Sequence, residues 1–544
     1  MEVREMLTSN SEFSAAERGI LQQYFSSVDG TVFALINLPE VVRGALFARY
    51  SRSPKSLRRL FLDEFYGEAA GQDFVPLKVG VQRADKLHSR AFVEYGDDSV
   101  AQLVNIHVGV EGASNILTKI LEWGRLMSYL EQSTRFIVFN DRPNGGWRYH
   151  IPTELRGSPL LTKFRNRMDR CFETYSRLLD VIQGNLRIRY PREEGTSEAV
   201  YNLSIRAKAC DVLRGLLPAA TASNLGLYGS AQAYEQLVLR LSSHPLAEAR
   251  ETGEQILAEL RKTIPVFMQR MDRPDRGGVW SQYLSDVRNS MRAKAVDIPG
   301  STCGRNESVT LADFDPDGEI KVIAATLYPF TELADQQLLS YVRKMSDAER
   351  QSILRAYVGT RADRRHKPGR AFERTYYRFD IVADYGIFRD LQRHRMLTME
   401  WQGLSPYLGF EIPEEIEECG ADREWVEIME SCAELYEELF RAGFEDVAQY
   451  AIPMAYRLRF CMQMNAREAV HIIELRTSPQ GHRNYRSVCS EMLRLIRNQA
   501  GHRGIAEAMV FAREDADGLE RLDALRRSEE RQRSLLAGAP LRVS

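Results

Sequence analysis

Three short stretches of this chain carry residue types whose spacing suits chemistry. In the first, Arg125, Ser128, Glu131, Gln132, Ser133 and Arg135 fall within eleven residues. Arginine supplies forked donors, serine a short donor, and glutamate an acceptor for a sugar hydroxyl or ring N–H, a set suited to a phosphate with a polar ring. The plainer reading is a solvated helix end running into a strand. In the second, Asp390-Leu391-Gln392-Arg393-His394-Arg395 closes a helix begun near Tyr385. Such a patch can face an anionic or electron-accepting ring, or it can simply favour the helix C-terminal dipole by about 0.3–1 kcal/mol. In the third, Asn465-Ala466-Arg467 opens a helical pattern through His471 to Arg476. Arg467 and His471 are four apart and share a helix face. That polar face is costly to bury unless a ligand, or Glu468 or Glu474, pairs with it.

Other chemistries lack their residues. The sequence has neither of the glycine motifs that cradle phosphates, no HExxH and no GxSxG. His366 and His394 have no carboxylate or thiolate at metal-ligand spacing, so no metal is expected. The seven cysteines are scattered and form no CxxC, as expected of reduced core thiols. Lys+Arg 73 against Asp+Glu 75 gives a formal net charge of -2, which argues against a wholesale nucleic-acid binder. With no apolar run of spanning length and a charged N-terminal stretch, a cytoplasmic protein is expected, bound neither to membrane nor to nucleic acid.

At 544 residues the chain exceeds one hydrophobic core. Residues 239–250 align without gaps on 475–486, with Leu239/Leu475, Arg240/Arg476, Ser242/Ser478 and Arg250/Arg486 coinciding. Leu217-Pro218 and Ile452-Pro453 stand upstream at nearly equal distance, so a duplication is expected. A stretch rich in Pro, Gly and Asp between about 273 and 306 marks the boundary. The expected division is 1–290, 305–513 and a charged C-terminal helix or tail over 514–544. Helical periodicity dominates, with strands expected at 135–138, 320–325 and 376–382. The fold class is helix-rich α+β, with no successive βαβ units.

Taken together, the three clusters resemble the flavin-dependent thymidylate synthases, whose signature runs RHRxxSxNExSxRY with a later NAR…LR helix. Ser128, Glu131, Ser133, Arg135 and Phe136 fall on the SxxExSxRY part, while Trp123-Gly124-Arg125 stands where RHR would be. Gly96-Asp97-Asp98-Ser99 is similar to the family's flavin-contacting turn, and Arg214, four before Pro218, to its phosphate-binding arginine. In the second half Arg393-His394-Arg395 and Asn465-Ala466-Arg467 are intact, Arg476 sits at the substrate-activating position, and Gln449 replaces the phosphate arginine. The losses in the two halves are complementary.

The resemblance implies two tandem domains, each a mainly antiparallel sheet with packed helices. It implies reductive methylation of dUMP to dTMP, with FAD as cofactor and NADPH and methylenetetrahydrofolate as co-substrates. Arg476 would be catalytic. Ser128, Glu131, Gln132, Ser133, Arg135 and Arg214 would bind substrate; Ser99, Arg393, His394, Arg395, Asn465, Arg467 and His471 would bind the flavin. A homodimer forming a pseudo-tetramer would assemble complete sites. The alternatives are C5 modification of another uracil nucleotide, or a non-catalytic flavin- or nucleotide-binding scaffold.

Overall fold

The computed structural model describes residues 12–38, 40–66, 101–102, 104–298, 308–513, 522 and 526. The turn at 96–99, with Ser99, lies outside them, as does nearly all of the 514–544 segment. Eight strands are named here: β1 (Val32–Ala34), β2 (Asn105–Ser114), β3 (Met127–Glu131), β4 (Ala222–Ser230), β5 (Val309–Phe314), β6 (Tyr376–Asp384), β7 (Thr398–Trp401) and β8 (Arg457–Asn465). The helices that bear on the site are α1 (Asn115–Leu121), α2 (Leu160–Arg189), α3 (Glu198–Leu213), α4 (Ala231–Ser242), α5 (Ala247–Thr263) and α6 (Val279–Val296) in the first half. In the second half they are α7 (Gly318–Leu327), α8 (Tyr385–Leu391), α9 (Asp422–Arg441), α10 (Ala466–Arg476) and α11 (Arg483–Asn498).

Two four-stranded antiparallel sheets carry the duplication, with orders β1-β2-β4-β3 and β5-β6-β8-β7. In each, two strands pass into helices with no loop. Ser114 and Ser230 end β2 and β4 and cap α1 and α4; Asp384 and Asn465 end β6 and β8 and cap α8 and α10. Each cap side chain accepts from a backbone N–H of the first turn, satisfying one of the donors a helix start leaves over. The hydrophobic pattern therefore switches from period 2 to period 3.6 at one residue.

The compact units do not follow the sequence halves. One unit comprises Met1–Leu178, Leu216–Thr302 and Arg423–Pro453; the other comprises Leu179–Gly215, Cys303–Asp422 and Met454–Ser544. Within the first unit, α2 and α9 run antiparallel, with Lys163 to Glu438 at 2.6 Å and Arg170 to Glu427 at 3.3 Å on their exposed side. Beneath them the buried thiols of Cys171 and Cys432 lie 3.5 Å apart, unbonded. The other described cysteines are also free thiols, as expected, although Cys419 and Cys461 are only half-buried.

Aromatic rings fill the first unit's core, where Phe25, Phe33 and Phe61 meet edge to face at 5.5–5.7 Å. Gly109 of β2 and Gly226 of β4 are register partners. A Cβ on Gly109 would meet the Phe33 ring at 2.7 Å, and one on Gly226 the Phe47 ring at 2.3 Å. The sheet lacks side chains at this pair so that two rings can reach its backbone.

Three local expectations change. Residues 320–325 are helical, inside α7; a short apolar run reads alike as strand or buried helix, and Val322, Ile323 and Ala324 are buried. Residues 135–138 form a turn, with Phe136 and Ile137 donating to the Ser133 carbonyl, and the strand is the preceding β3. The Pro/Gly-rich stretch flanks a helix, α6. The strand expected at 376–382 is β6, extended to Asp384.

Replacing Gly226 by Ala is expected to destabilise the protein by about 1–3 kcal/mol through overpacking. Gly19→Ala, in a helix with open space around it, should stabilise by about 0.5–1 kcal/mol. Denaturant melts of the two variants check both signs.

Candidate functional site

The second unit brings the two basic clusters of its half together by simple geometry. β6 and β8 pair over nine residues, Tyr376 with Asn465 through Asp384 with Arg457. Because the strands are antiparallel, α8 and α10 start at opposite ends of the pair. They cover ~10 and ~16 Å at 1.5 Å per residue, against ~30 Å for the strands. Their C-termini thus meet over the sheet, and the basic residues at both ends are suited to the converging dipoles.

Arg476, the last residue of α10, donates from Nε to His394 Nε2 at 2.9 Å and from Nη2 to the Asp390 carbonyl. Its guanidinium lies over the Tyr485 ring at 5.4 Å. Among the described residues no carboxylate contacts it. The acceptor role at Nε2 places the His394 proton on Nδ1, which lies 3.4 Å from Glu468 Oε1. Burial, then the Arg476 and Lys367 charges, push the His394 pKa well down. Burial raises the Glu468 carboxyl, against the pull of His471, Lys367 and Arg467. His471 is lowered to about 4, chiefly by burial. His394, Glu468 and His471 bring one ligand-type atom each within 4.8 Å of one another. With Arg476 claiming Nε2 and a proton on Nδ1, His394 is spent as a hydrogen-bonding group in this arrangement.

The other flavin-assigned residues are distributed around this centre. Arg393 and Arg395 are exposed on either side of the buried His394. Asn465 caps α10, its Oδ1 accepting from the Glu468 N–H at 2.9 Å. Arg467 donates to the Pro368 carbonyl at 2.9 Å and approaches Glu373 at 3.4 Å. Glu474, one of the partners expected for the polar face, is taken by Arg361 in a buried bidentate pair at 2.6 and 2.7 Å.

Arg214 belongs to this unit too, although it comes from the first half. Its Nη1 donates to Asp390 Oδ2 at 3.0 Å, and Nη2 is buried without an acceptor among the described residues. Gly386 leaves room for it: a Cβ there would stand 3.1 Å from Arg214 Nε. Asp390 therefore holds Arg214 by its side chain and Arg476 by its carbonyl. That role was missed in the sequence, where Asp390 read only as part of a helix end.

The rest of the substrate set lies in the first unit, apart from Arg214. Ser128 is exposed on β3. Glu131 is buried on Lys119 at 3.1 Å, in a cluster with Glu122. Gln132 donates to the Ser53 carbonyl at 2.8 Å. Ser133 sits in the turn and accepts from the Arg135 N–H at 3.3 Å, and the Arg135 side chain is half-buried. The pairing of Glu131 with an internal lysine is what the motif could not show.

This unit also holds a degenerate copy of the Arg476 centre. Arg240, at the end of α4, donates to the Ile120 carbonyl at 3.4 Å, as Arg476 does to Asp390. Here Trp123 covers the guanidinium at 4.9 Å. Gly124 stands in the histidine place, and a Cβ there would meet the Tyr129 hydroxyl at 2.7 Å. A second echo lies beside the caps. Glu248 of α5 accepts from Ser114 Oγ at 2.6 Å, whereas Asn484 of α11 donates to Asp384 Oδ2 at 2.8 Å. The carboxylate has changed partners between the copies.

Two sheets of one order, each with a strand-helix arginine folded back on its neighbour, define a duplicated α+β protein whose second copy keeps a cationic, imidazole-supported centre. The chain belongs to the thymidylate synthase complementing protein family, which it matches twice, over residues 48–266 and 310–500. That family is flavin-dependent, as the two-domain resemblance implied. It is 36% identical over 501 residues to a UPF0159 protein of Chlamydia muridarum, covering 90% of this chain and 94% of that one. A UPF0159 protein of Chlamydia pneumoniae is 37% identical over 498 residues, with the same coverage. One of Thermoplasma acidophilum is 30% identical over 508 residues, covering 89% and 97%. Among the described residues no helix is long and apolar enough to cross a membrane.

The His471 ring is neutral at pH 7. Between its ordinary value of 6.5 and about 4, the unfolded chain takes up a proton that the folded ring refuses, so stability falls as pH drops through this window. His471→Asn is expected to flatten that acid loss, narrowing the Tm difference between pH 7 and pH 5 by ~2–4 °C for each kcal/mol removed.

Proposed function

We propose that the protein is a flavin-dependent thymidylate synthase that converts dUMP to dTMP with methylenetetrahydrofolate and NADPH, working in the cytoplasm as a homodimer. The observation that carries this reading is the Arg476 guanidinium, fixed at Nε and Nη2 and met by no carboxylate among the described residues. A fixed cation with Nη1 hydrogens to spare stabilises negative charge developing on a uracil ring and so makes C5 nucleophilic. His394 serves this by remaining neutral: a second positive charge on its ring would repel the guanidinium and remove its acceptor.

The residues suit FAD. Arg393 and Arg395 are exposed guanidiniums suited to a diphosphate, and the His394, Asn465, Arg467 and His471 groups supply donors of the kind that ring carbonyls and nitrogens accept. FAD bound there supplies hydride transfer. Arg214 fastens Asp390 with one edge and keeps Nη2 for a substrate phosphate; a buried donor left unsatisfied costs about 1–3 kcal/mol, which an anion would recover. Ser128, Gln132, Ser133 and Arg135 remain the proposed nucleotide contacts of the first unit, with Glu131 acting through Lys119. The covering of Arg240 by Trp123 favours one catalytic copy per chain.

Complementation of a thymidine auxotroph tests the reading. The wild-type chain should restore growth, carry an oxidised-flavin band near ~450 nm, and lose ~10²–10³-fold in kcat on Arg476→Ala. Arg135→Ala should weaken dUMP binding with flavin retained, and Arg393→Ala should release flavin. Growth surviving Arg476→Ala, or a flavin-loaded wild type that fails to rescue, overturns the assignment.

A further inference from the structure

A separate cleft of about 410 Å³ opens in the first unit where the α4–α5 turn meets α6. The helix α6 lies between the two stretches that match the family, so the cleft includes a wall the family pattern does not cover. Its lining includes Arg250, Arg288, His244, the serines 242, 243, 281 and 285, Gln282 and Asn289, with no carboxylate and no aromatic ring among the described residues.

Both guanidiniums are held by backbone carbonyls of one turn. Arg250 Nη1 donates to the His244 carbonyl at 2.8 Å and to that of Pro245; Arg288 Nη1 donates to the Ser243 carbonyl. Among the described residues neither is paired with a carboxylate. The acid whose charge reaches Arg288, Asp446, is engaged by Arg292 through two hydrogen bonds of 2.7 and 3.1 Å. Burial, then the Arg292 charge, lowers the Arg288 pKa, against the pull of Asp446. His244 accepts the Leu246 N–H at Nδ1 and stays neutral, its pKa held near about 4 chiefly by burial, so Nε2 carries a proton to donate. Two guanidiniums, an imidazole N–H, serine hydroxyls and the Gln282 and Asn289 amides make a cationic, polar surface rich in donors.

We infer that this cleft binds a small organic phosphate, with Arg250 and Arg288 on the phosphate and the serine hydroxyls on a polyol body. Its volume stands at the lower end for small-molecule sites. Among the described lining residues no aromatic ring is there to stack a base, which favours a sugar phosphate over a nucleotide. The inference stands apart from the synthase reading, since none of these residues belongs to the Arg476 centre.

Calorimetric titration of the full chain with ribose 5-phosphate, with ribose and orthophosphate as controls, tests it. The wild type should bind ribose 5-phosphate more tightly than orthophosphate and ignore ribose. Arg288→Gln, on a helix with no buried residue, and Arg250→Gln should each weaken binding at least ~10-fold at unchanged Tm, the loss of about 1.4 kcal/mol of a charge-assisted contact. No heat at millimolar probe, affinity unchanged in both variants, ribose binding as well as its phosphate, or orthophosphate binding as tightly would each overturn the proposal.

Discussion

A guanidinium that donates to an imidazole nitrogen needs that imidazole neutral, and it needs a reason to stay where it is. The Arg476–His394 hydrogen bond meets the first need by burial and by the neighbouring Lys367 and Arg476 charges, all of which depress the ring's basicity. It meets the second through Asp390, whose carbonyl fixes a second guanidinium nitrogen. Asp390 can offer that carbonyl because it lies in the last turn of α8, where no further helical residue claims it. The placement of α8 follows from the handover at Asp384, and that of α10 from the handover at Asn465. The reactive geometry is in this sense a property of two cap residues and a nine-residue strand pair.

The first copy shows what the same frame does when the constraint lapses. Arg240 still reaches the carbonyl that corresponds to Asp390, so the strand–helix frame survives. With Gly124 in the histidine place, nothing among the described residues accepts from its Nε, and Trp123 lies over the charge instead. Burial then pulls the Arg240 pKa down. Meanwhile the carboxylate that a family motif would aim at a nucleotide is held by Lys119 inside the unit. A buried lysine between two glutamates is costly to break, because removing the cation strands two charges. The copy has exchanged ligand contacts for internal ones while keeping the fold.

Much of this was legible in the sequence, and the failures have physical causes. The duplication and the β6 strand followed from residue types at fixed spacing, while the antiparallel sheets and the placing of Arg476 came from the family resemblance. The 320–325 segment did not, because a short, mostly apolar run buries equally well as strand or helix, and only Asp317 and Gly318 ahead of it hint at a helix start. Asp390 escaped notice because its two partners, Arg214 and Arg476, are far away in sequence. Glu468 was visible only as a generic salt-bridge partner for its own helix, and its proximity to His394 depends on where two helices end.

The most consequential element that spacing concealed is the interleaving of the halves. Arg214 is read naturally as a first-half residue, to be grouped with Ser133 and Arg135. The segment Leu179–Gly215 nevertheless belongs to the unit that carries the RHR and NAR stretches. Its delivery there explains how the second half can hold Gln449 where the family has an arginine: the centre around Asp390 takes its arginine from the first half, and position 449 serves the other unit. Complementary losses are then not two accidents that happen to offset each other. The Trp123-Gly124 and Gln449 substitutions both fall in the unit that does not carry the Arg476 centre.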